Sequence, residues 1–270
     1  MTLFDPVHED GLARDLAALD ALGRRDALGW IGGAGVLALL PAASRGRAPA
    51  ERTATCLAAP AETAGPFPAD GTNRAPGPSS NALAAPGIVR SDIRASFIGS
   101  TRVAAGVPLD LTLTLVDANG CAPLAGRALY IWQSDAEGLY SLYSAPQESY
   151  LRGVQRTDAA GRVRFTTIVP GCYAGRYPHI HVQAFGGLET ALSGRDALLT
   201  SQLIIPLEMA RAAYADAAAY PGSAESFAHF SLARDYVFAD NSPAELAAMT
   251  LAITGQRGGR YAARGRIALG

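Results

Sequence analysis

The chain contains no lysine, so all 23 of its cationic side chains are arginine. They face 24 acidic residues, giving a formal net charge of −1. A general nucleic-acid or polyanion binder would carry a basic excess, so neither class is expected. Cysteine is scarce, with Cys56, Cys121 and Cys172 only, and no CxxC or Cys/His spacing points to zinc. Tryptophan occurs twice, at Trp30 and Trp132, which leaves little material for the exposed aromatic face of a carbohydrate- or wall-binding module. The apolar run Trp30–Leu40 is about 11 residues, short of the ~20 that span a bilayer. No internal repeat is apparent. Histidine is rare as well: there are four, at positions 8, 179, 181 and 229.

What is present divides the chain into three. Its 270 residues are 49% hydrophobic, enough for a sizeable core. Over residues 1–50, Arg24-Arg25 precedes the short apolar run, which ends in small residues. That order is an export signal, and the paired arginines suggest the twin-arginine route. Mature protein would then begin within 44–56 and lie in the periplasm or outside the cell, with no membrane span. Ala27 stands where a bulky apolar residue is usual, and a long acidic N-region precedes it. The alternative is an amphipathic helix around Leu12, Leu16 and Leu19 followed by a buried helix. An exported chain with three cysteines is expected to hold one disulfide and one spare thiol. Cys56 and Cys121 flank the start of the strand-rich region and are the expected pair, which would leave Cys172 free.

Residues 51–106 are rich in Ala, Pro, Gly and Asn and read as an extended, irregular arm. From 107 to 270 the texture is that of strands. Leu109, Leu111, Leu113 and Leu115 alternate with Asp110, Thr112 and Thr114, which is period two. Further strands are expected over 127–133, 162–169, 179–185 and 201–205. A helical patch covers 206–220. Strands return over 249–254 and 261–269, joined at Gly258-Gly259 as a hairpin. Many short strands with few short helices predict an all-β fold, an antiparallel β-sandwich with the irregular arm at its N-terminal side.

The chemistry is concentrated in Gly171–Val182, GCYAGRYPHIHV. Alternate side chains of a strand share a face, so His179 and His181 project together with Ile180 turned away. Two imidazoles about 7 Å apart along a strand can converge on one cation. The plainer reading is a pair of surface or hydrogen-bonded histidines, and carboxylates at a helpful spacing are missing. Tyrosines are not. Tyr173 follows the Pro170-Gly171 turn, and Tyr140 follows the glycine turn of DAEGLYS. A phenol ligates poorly unless a strongly acidic cation displaces its proton; ferric iron is such a cation.

Three segments together, WQSDAEGLYS (132–141), VPGCYAGRYPHIHV (169–182) and TSQL (200–203), resemble the intradiol ring-cleavage dioxygenases, the ferric catechol-cleaving enzymes related to the protocatechuate dioxygenases. CLAAPAETAGPF (56–67) resembles the family's segment ending in Gly-Pro and an aromatic, and CAPLAG (121–126) its strand-leading turn. The resemblance implies Fe(III) held by Tyr140, Tyr173, His179 and His181. It implies that Arg176 steadies charge on the substrate ring, that Gln202 lies near the oxygen pocket, and that Tyr173 takes a substrate proton. The implied reaction joins a catechol-type aromatic diol with both atoms of O2 to give a cis,cis-muconate-type diacid. Tyr177 is expected to pack. The helical dimerisation domain of the catechol dioxygenases has no room here, so the chain resembles the compact, exported branch, with homo-oligomerisation left open. The rival readings are a non-catalytic exported β-sandwich binding module, an iron-binding relative acting on a larger aromatic, and a copper or zinc site built on the two histidines.

Overall fold

The computed structural model describes residues 56–173 and 175–270; the export segment expected over 1–50 and the first residues of the arm lie outside the described residues. Along the chain run β1 (Pro108–Asp117), β2 (Ala128–Trp132), β3 (Arg152–Arg156), β4 (Arg162–Ile168), β5 (His179–Phe185), α1 (Leu188–Ser193), β6 (Ala197–Ile204), α2 (Leu207–Tyr214), α3 (Ser223–Ala228), α4 (Pro243–Met249), β7 (Ala252–Arg257) and β8 (Arg260–Leu269). The strands form two four-stranded sheets, β4-β1-β8-β7 and β3-β2-β5-β6. The fold is the expected β-sandwich.

The leucine ladder of β1 explains the first layer. Leu109, Leu111, Leu113 and Leu115 are all buried, and they pack with Val163, Phe165 and Ile267 of their own sheet. Against them lie Leu129, Ile131, Ile180 and Val182 of the second sheet. Each such aliphatic or aromatic side chain contributes roughly 1.5–3 kcal/mol when fully withdrawn from water. One pairing departs from expectation: β1 and β8 run parallel, while the other pairs are antiparallel. The β7–β8 hairpin turns at Gly258 and Gly259, both with positive φ, and this turn delivers β8 to β1 in the same direction.

Boundaries differ in places. Met249 closes α4, and β7 starts only at Ala252. The helical patch over 206–220 resolves into α2 and a following turn. β3 was not anticipated, because its sequence RGVQR has no alternation to read. It pairs with β2 through Gly153, which faces the arm so closely that a Cβ there would strike Ile93.

The arm has no named helix or strand, yet it is part of the packing. Ala69, Ala82, Leu83 and Ile88 are buried with Tyr130, Trp132, Tyr140 and Leu142 in a second core. Sheet β3-β2-β5-β6 is therefore covered on both faces, by the other sheet on one side and by the arm and the 133–151 loop on the other. Cys56 and Cys121 are joined, and Cys172 is a free, buried thiol.

Arg152 fixes the arm to the sheet. Its guanidinium is fully buried and spends five N–H groups on five acceptors. Nε reaches Ser141 Oγ (3.0 Å), one terminal nitrogen Pro68 O (2.9 Å) and Tyr130 Oη (3.1 Å), the other Phe67 O (3.0 Å) and Ser141 O (2.8 Å). Replacing it strands these acceptors in the interior. Arg152→Met is expected to lower unfolding stability by on the order of 3 kcal/mol, read by urea denaturation. A loss within about 0.5 kcal/mol would contradict this role.

Candidate metal centre

β5 places His179 and His181 on the arm-facing side of the second sheet, while Ile180 and Val182 enter the inter-sheet core. This is the alternation expected of a strand. Each ring is held from behind. His179 Nδ1 lies 2.6 Å from the carbonyl of Tyr177, which can only accept; the proton is therefore on Nδ1, and Nε2 presents its lone pair. His181 stacks flat on Trp132, at 4.7 Å between centroids and 4° between planes.

The tyrosines arrive from two loops that are stitched together. Asp135 organises the DAEGLYS turn by accepting from the backbone N–H of Glu137 and Leu139 and from the Tyr150 hydroxyl (2.7 Å). Its carbonyl accepts from Gly171 N–H at 2.9 Å, tying that turn to the loop bearing Tyr173. Gly138, at φ 79°, is required at this junction, since a Cβ would come within 2.9 Å of the Tyr173 Cβ. Tyr214 and Tyr220 donate to Pro170 O and Val169 O, holding the second loop from the helical side. Phe67 of the arm packs on the Tyr140 ring at 4.9 Å.

The four donors converge. Tyr140 Oη is 3.3 Å from Tyr173 Oη, 3.4 Å from His179 Nε2 and 3.2 Å from His181 Nε2. Tyr173 Oη is 3.4 Å from His179 Nε2, and the two Nε2 atoms are 3.1 Å apart. These distances describe two near-equilateral triangles sharing the Tyr140–His179 edge. A point equidistant from the corners of either is roughly 2 Å from each, the bond length of nitrogen and oxygen ligands to a small cation. Among the described residues no group of three or more His, Cys, Asp or Glu is placed to hold a metal. This cluster is instead half phenolic. Its donor set fits a hard, highly charged cation able to displace phenol protons. His181 Nδ1 has no hydrogen-bond partner, and the stack on Trp132 sets the plane of that ring.

The electrostatics agree. Burial, with the Arg176 charge second, depresses the His179 pKa to about 3, and burial, His179 and Arg176 hold His181 well below the ordinary imidazole value. Both rings are neutral and free to donate lone pairs. Burial raises the Tyr140 phenol well above its ordinary value, with Tyr173 adding to the shift, and raises Tyr173 in turn.

Arg176 and Gln202 stand together beside this cluster. Arg176 is 4% exposed; its Nε donates to both carboxylate oxygens of Asp235 (3.2 and 3.0 Å), and a terminal nitrogen donates to Gln202 Oε1 (2.5 Å). Gln202 Nε2 donates to Thr63 O, so both ends of its amide are engaged by protein. The Arg176 guanidinium also lies 5.0 Å from the ring centre of the exposed Tyr236. Asp235 was missed by sequence reading. It is fully buried and also accepts from the backbone N–H of Tyr177 (2.6 Å) and Val237 (2.9 Å). It lies 59 residues from Arg176 in an irregular turn, where no periodicity marks it. Tyr177 packs on Phe227, as expected, and His229 is exposed.

Comparison with known proteins gives a consistent picture. A family profile described as Dioxygenase matches residues 93–190, which include all four donors and Arg176. The chain is 35% identical over 94 residues to the protocatechuate 3,4-dioxygenase beta chain of Burkholderia cepacia, covering 30% of this chain and 40% of that one. It thus spans less than half the length of that curated relative. In three dimensions it is similar to an intradiol ring-cleavage dioxygenase from Tetranychus urticae, with a TM-score of 0.57, 22% identity, and 79% and 94% of the two chains covered. A second dioxygenase structure gives 0.58 and 23% over the same shares. At these identities the likeness concerns the fold.

Arg176 and Asp235 form a buried ion pair, and each should be costly to remove alone. Arg176→Met and Asp235→Leu are each expected to destabilise the fold by about 3 kcal/mol, and the double variant by clearly less than the sum. A double-mutant cycle by urea unfolding checks this; strict additivity would show that the pair does not act as a unit.

Proposed function

We propose that this chain, which resembles the intradiol ring-cleavage dioxygenases in sequence and in fold, is a non-haem Fe(III)-dependent dioxygenase that opens the ring of a catechol-type aromatic diol with O2. The product would be a cis,cis-muconate-type diacid. The observation that carries the reading is the convergence of two phenols and two neutral imidazoles on one point, with no carboxylate among them. Tyr140, Tyr173, His179 and His181 would hold the ion, which when bound supplies Lewis acidity toward a chelating diol.

The chain's own residues divide the remaining work. His179 and His181 stay neutral through burial and keep their lone pairs inward. Tyr140 is 1% exposed and packed under Phe67, so its ring is fixed. Tyr173 is only partly buried and stands on an irregular loop, so its oxygen, as the phenolate left once a bound cation had displaced the phenol proton, would be the one placed to take up a diol proton at Oη. No carboxylate base is needed for that transfer. Arg176 brings a fixed positive charge beside the ring that becomes electron-rich, preorganised by Asp235 and Gln202. Gln202 acts here as a positioning residue for Arg176. The Cys56–Cys121 disulfide supports export to an oxidising compartment, in keeping with the segment around Arg24-Arg25.

Metal analysis and visible absorption of the purified protein test the reading. About one iron per chain and a red-brown band that shifts on adding catechol are expected. Tyr140→Phe should lose the band. Arg176→Gln should keep iron and band while oxygen uptake falls on the order of 10²–10³-fold. A protein that stays colourless after reconstitution with ferric iron would overturn the assignment.

A further inference from the structure

The overall charge of −1 conceals a local excess on the outer face of sheet β4-β1-β8-β7. Leu109, Leu111, Leu113, Leu115, Val163, Phe165, Tyr261 and Ala263 all point inward, so their alternate neighbours face solvent. Register then aligns Thr112 with Arg164 on one side and Arg264 on the other, and Thr114 with Arg162 and Arg266. Four exposed arginines thus stand at the corners of a rectangle of roughly 7 by 10 Å, with two threonine hydroxyls between them.

The carboxylates near this face are already engaged. Asp110 pairs with Arg260 (2.9 Å), Asp158 with Arg162 (3.2 Å) and Asp92 with Arg94 (2.7 Å). Arg164, Arg264 and Arg266 make no ion pair or side-chain hydrogen bond among the described residues. Alongside β8, Arg264, Arg266, Thr114 and Thr250 border a surface groove of about 650 Å³.

We propose that this face is a docking surface for a carboxylate-bearing polysaccharide. Guanidinium groups pair with carboxylates in a planar, two-point fashion, and the threonine hydroxyls match sugar hydroxyls. Exposed ion pairs contribute only about 0.2–1 kcal/mol each, so a lone anion would be held poorly, whereas a polymer engages the array many times over. A single-stranded nucleic acid would need aromatic platforms, and the face has none, since Phe165 and Tyr261 are buried behind it; a sugar polymer would be gripped here through its carboxylates and hydroxyls and not by the ring stacking of an aromatic-faced module. A lipid surface would need exposed apolar side chains, and of the large ones among the described residues only Leu57 borders the groove. This surface is separate from the Tyr/His cluster, so its test does not depend on ring cleavage.

Affinity electrophoresis and calorimetry with polygalacturonate at about 20 mM salt provide the test, with dextran, oligo(dT) and phosphatidylserine vesicles as competing probes. Polygalacturonate is expected to bind, dextran not, and binding should fade toward physiological salt. The combined variant Arg164→Gln/Arg264→Gln/Arg266→Gln should weaken binding by about tenfold or more at unchanged thermal stability. Unchanged affinity in that variant, absence of binding by the parent protein, or stronger binding of oligo(dT) or vesicles would each overturn the proposal. If the triple variant is unstable, Arg264→Gln alone, at an exposed strand position, must still lower the affinity.

Discussion

One constraint shapes this molecule: the sheet that carries the two paired histidines has no solvated face. Buried polar groups need partners within the protein. His179 meets the demand through the Tyr177 carbonyl, Gln183 through Asp70 and Thr200, and Arg152 through five acceptors. Among the described residues, the four buried side-chain atoms left without a partner, on Trp132, His181, Gln183 and Ser201, all belong to this same sheet. Two of those residues, Trp132 and His181, stack at the Tyr/His cluster. Polar side chains have been concentrated where polarity is least tolerated, which is the behaviour of a site rather than of a core.

Much of this was legible in the sequence because it followed periodicity. The leucines of β1 and the H-x-H pair both read directly as strand faces. Tyr140 and Tyr173 were legible through glycine turns, which mark loop ends without a period. What escaped has a physical explanation. β3 carries Arg152 and Gly153 at positions that are buried only because the arm covers them. Its burial is therefore a property of residues some 60 positions away, as Arg90 donating to Arg152 O illustrates. Asp235 escaped for the same reason: a carboxylate in an irregular turn reveals its role only when the fold brings it to Arg176. The parallel alignment of β8 with β1 was equally hidden, since strand direction depends on the path of the intervening chain.

The absence of lysine takes on meaning at one position. An ammonium group has three donors and no fixed plane, whereas the guanidinium has five in a rigid fork. Arg152 uses all five and reaches acceptors on the arm, on β2 and on the Tyr140 loop at once. It has no carboxylate partner among its hydrogen bonds; carbonyl and hydroxyl oxygens solvate it in place of water. Arg176 is handled differently, with Asp235 as a true counter-ion. The first arginine is a clamp that holds the arm over the cluster, and the second is a fixed charge held beside it.

The clamp also accounts for strain. Leu142 and Leu151 adopt positive φ, at 68° and 57°, while being fully buried. Such left-handed leucines cost roughly 1–2 kcal/mol each and persist only where surrounding contacts impose them. They bracket the loop between Tyr140 and Arg152, the segment that the guanidinium grips through Ser141. No such bracket surrounds Tyr173, whose loop continues into Gly175 at φ 89° with open space around it. The two phenols are therefore unequal by construction. One is locked by strain, stacking and a buried charge, and the other stands partly exposed at the edge of the cluster. That inequality arises from the backbone and its packing before any chemistry at the phenols begins.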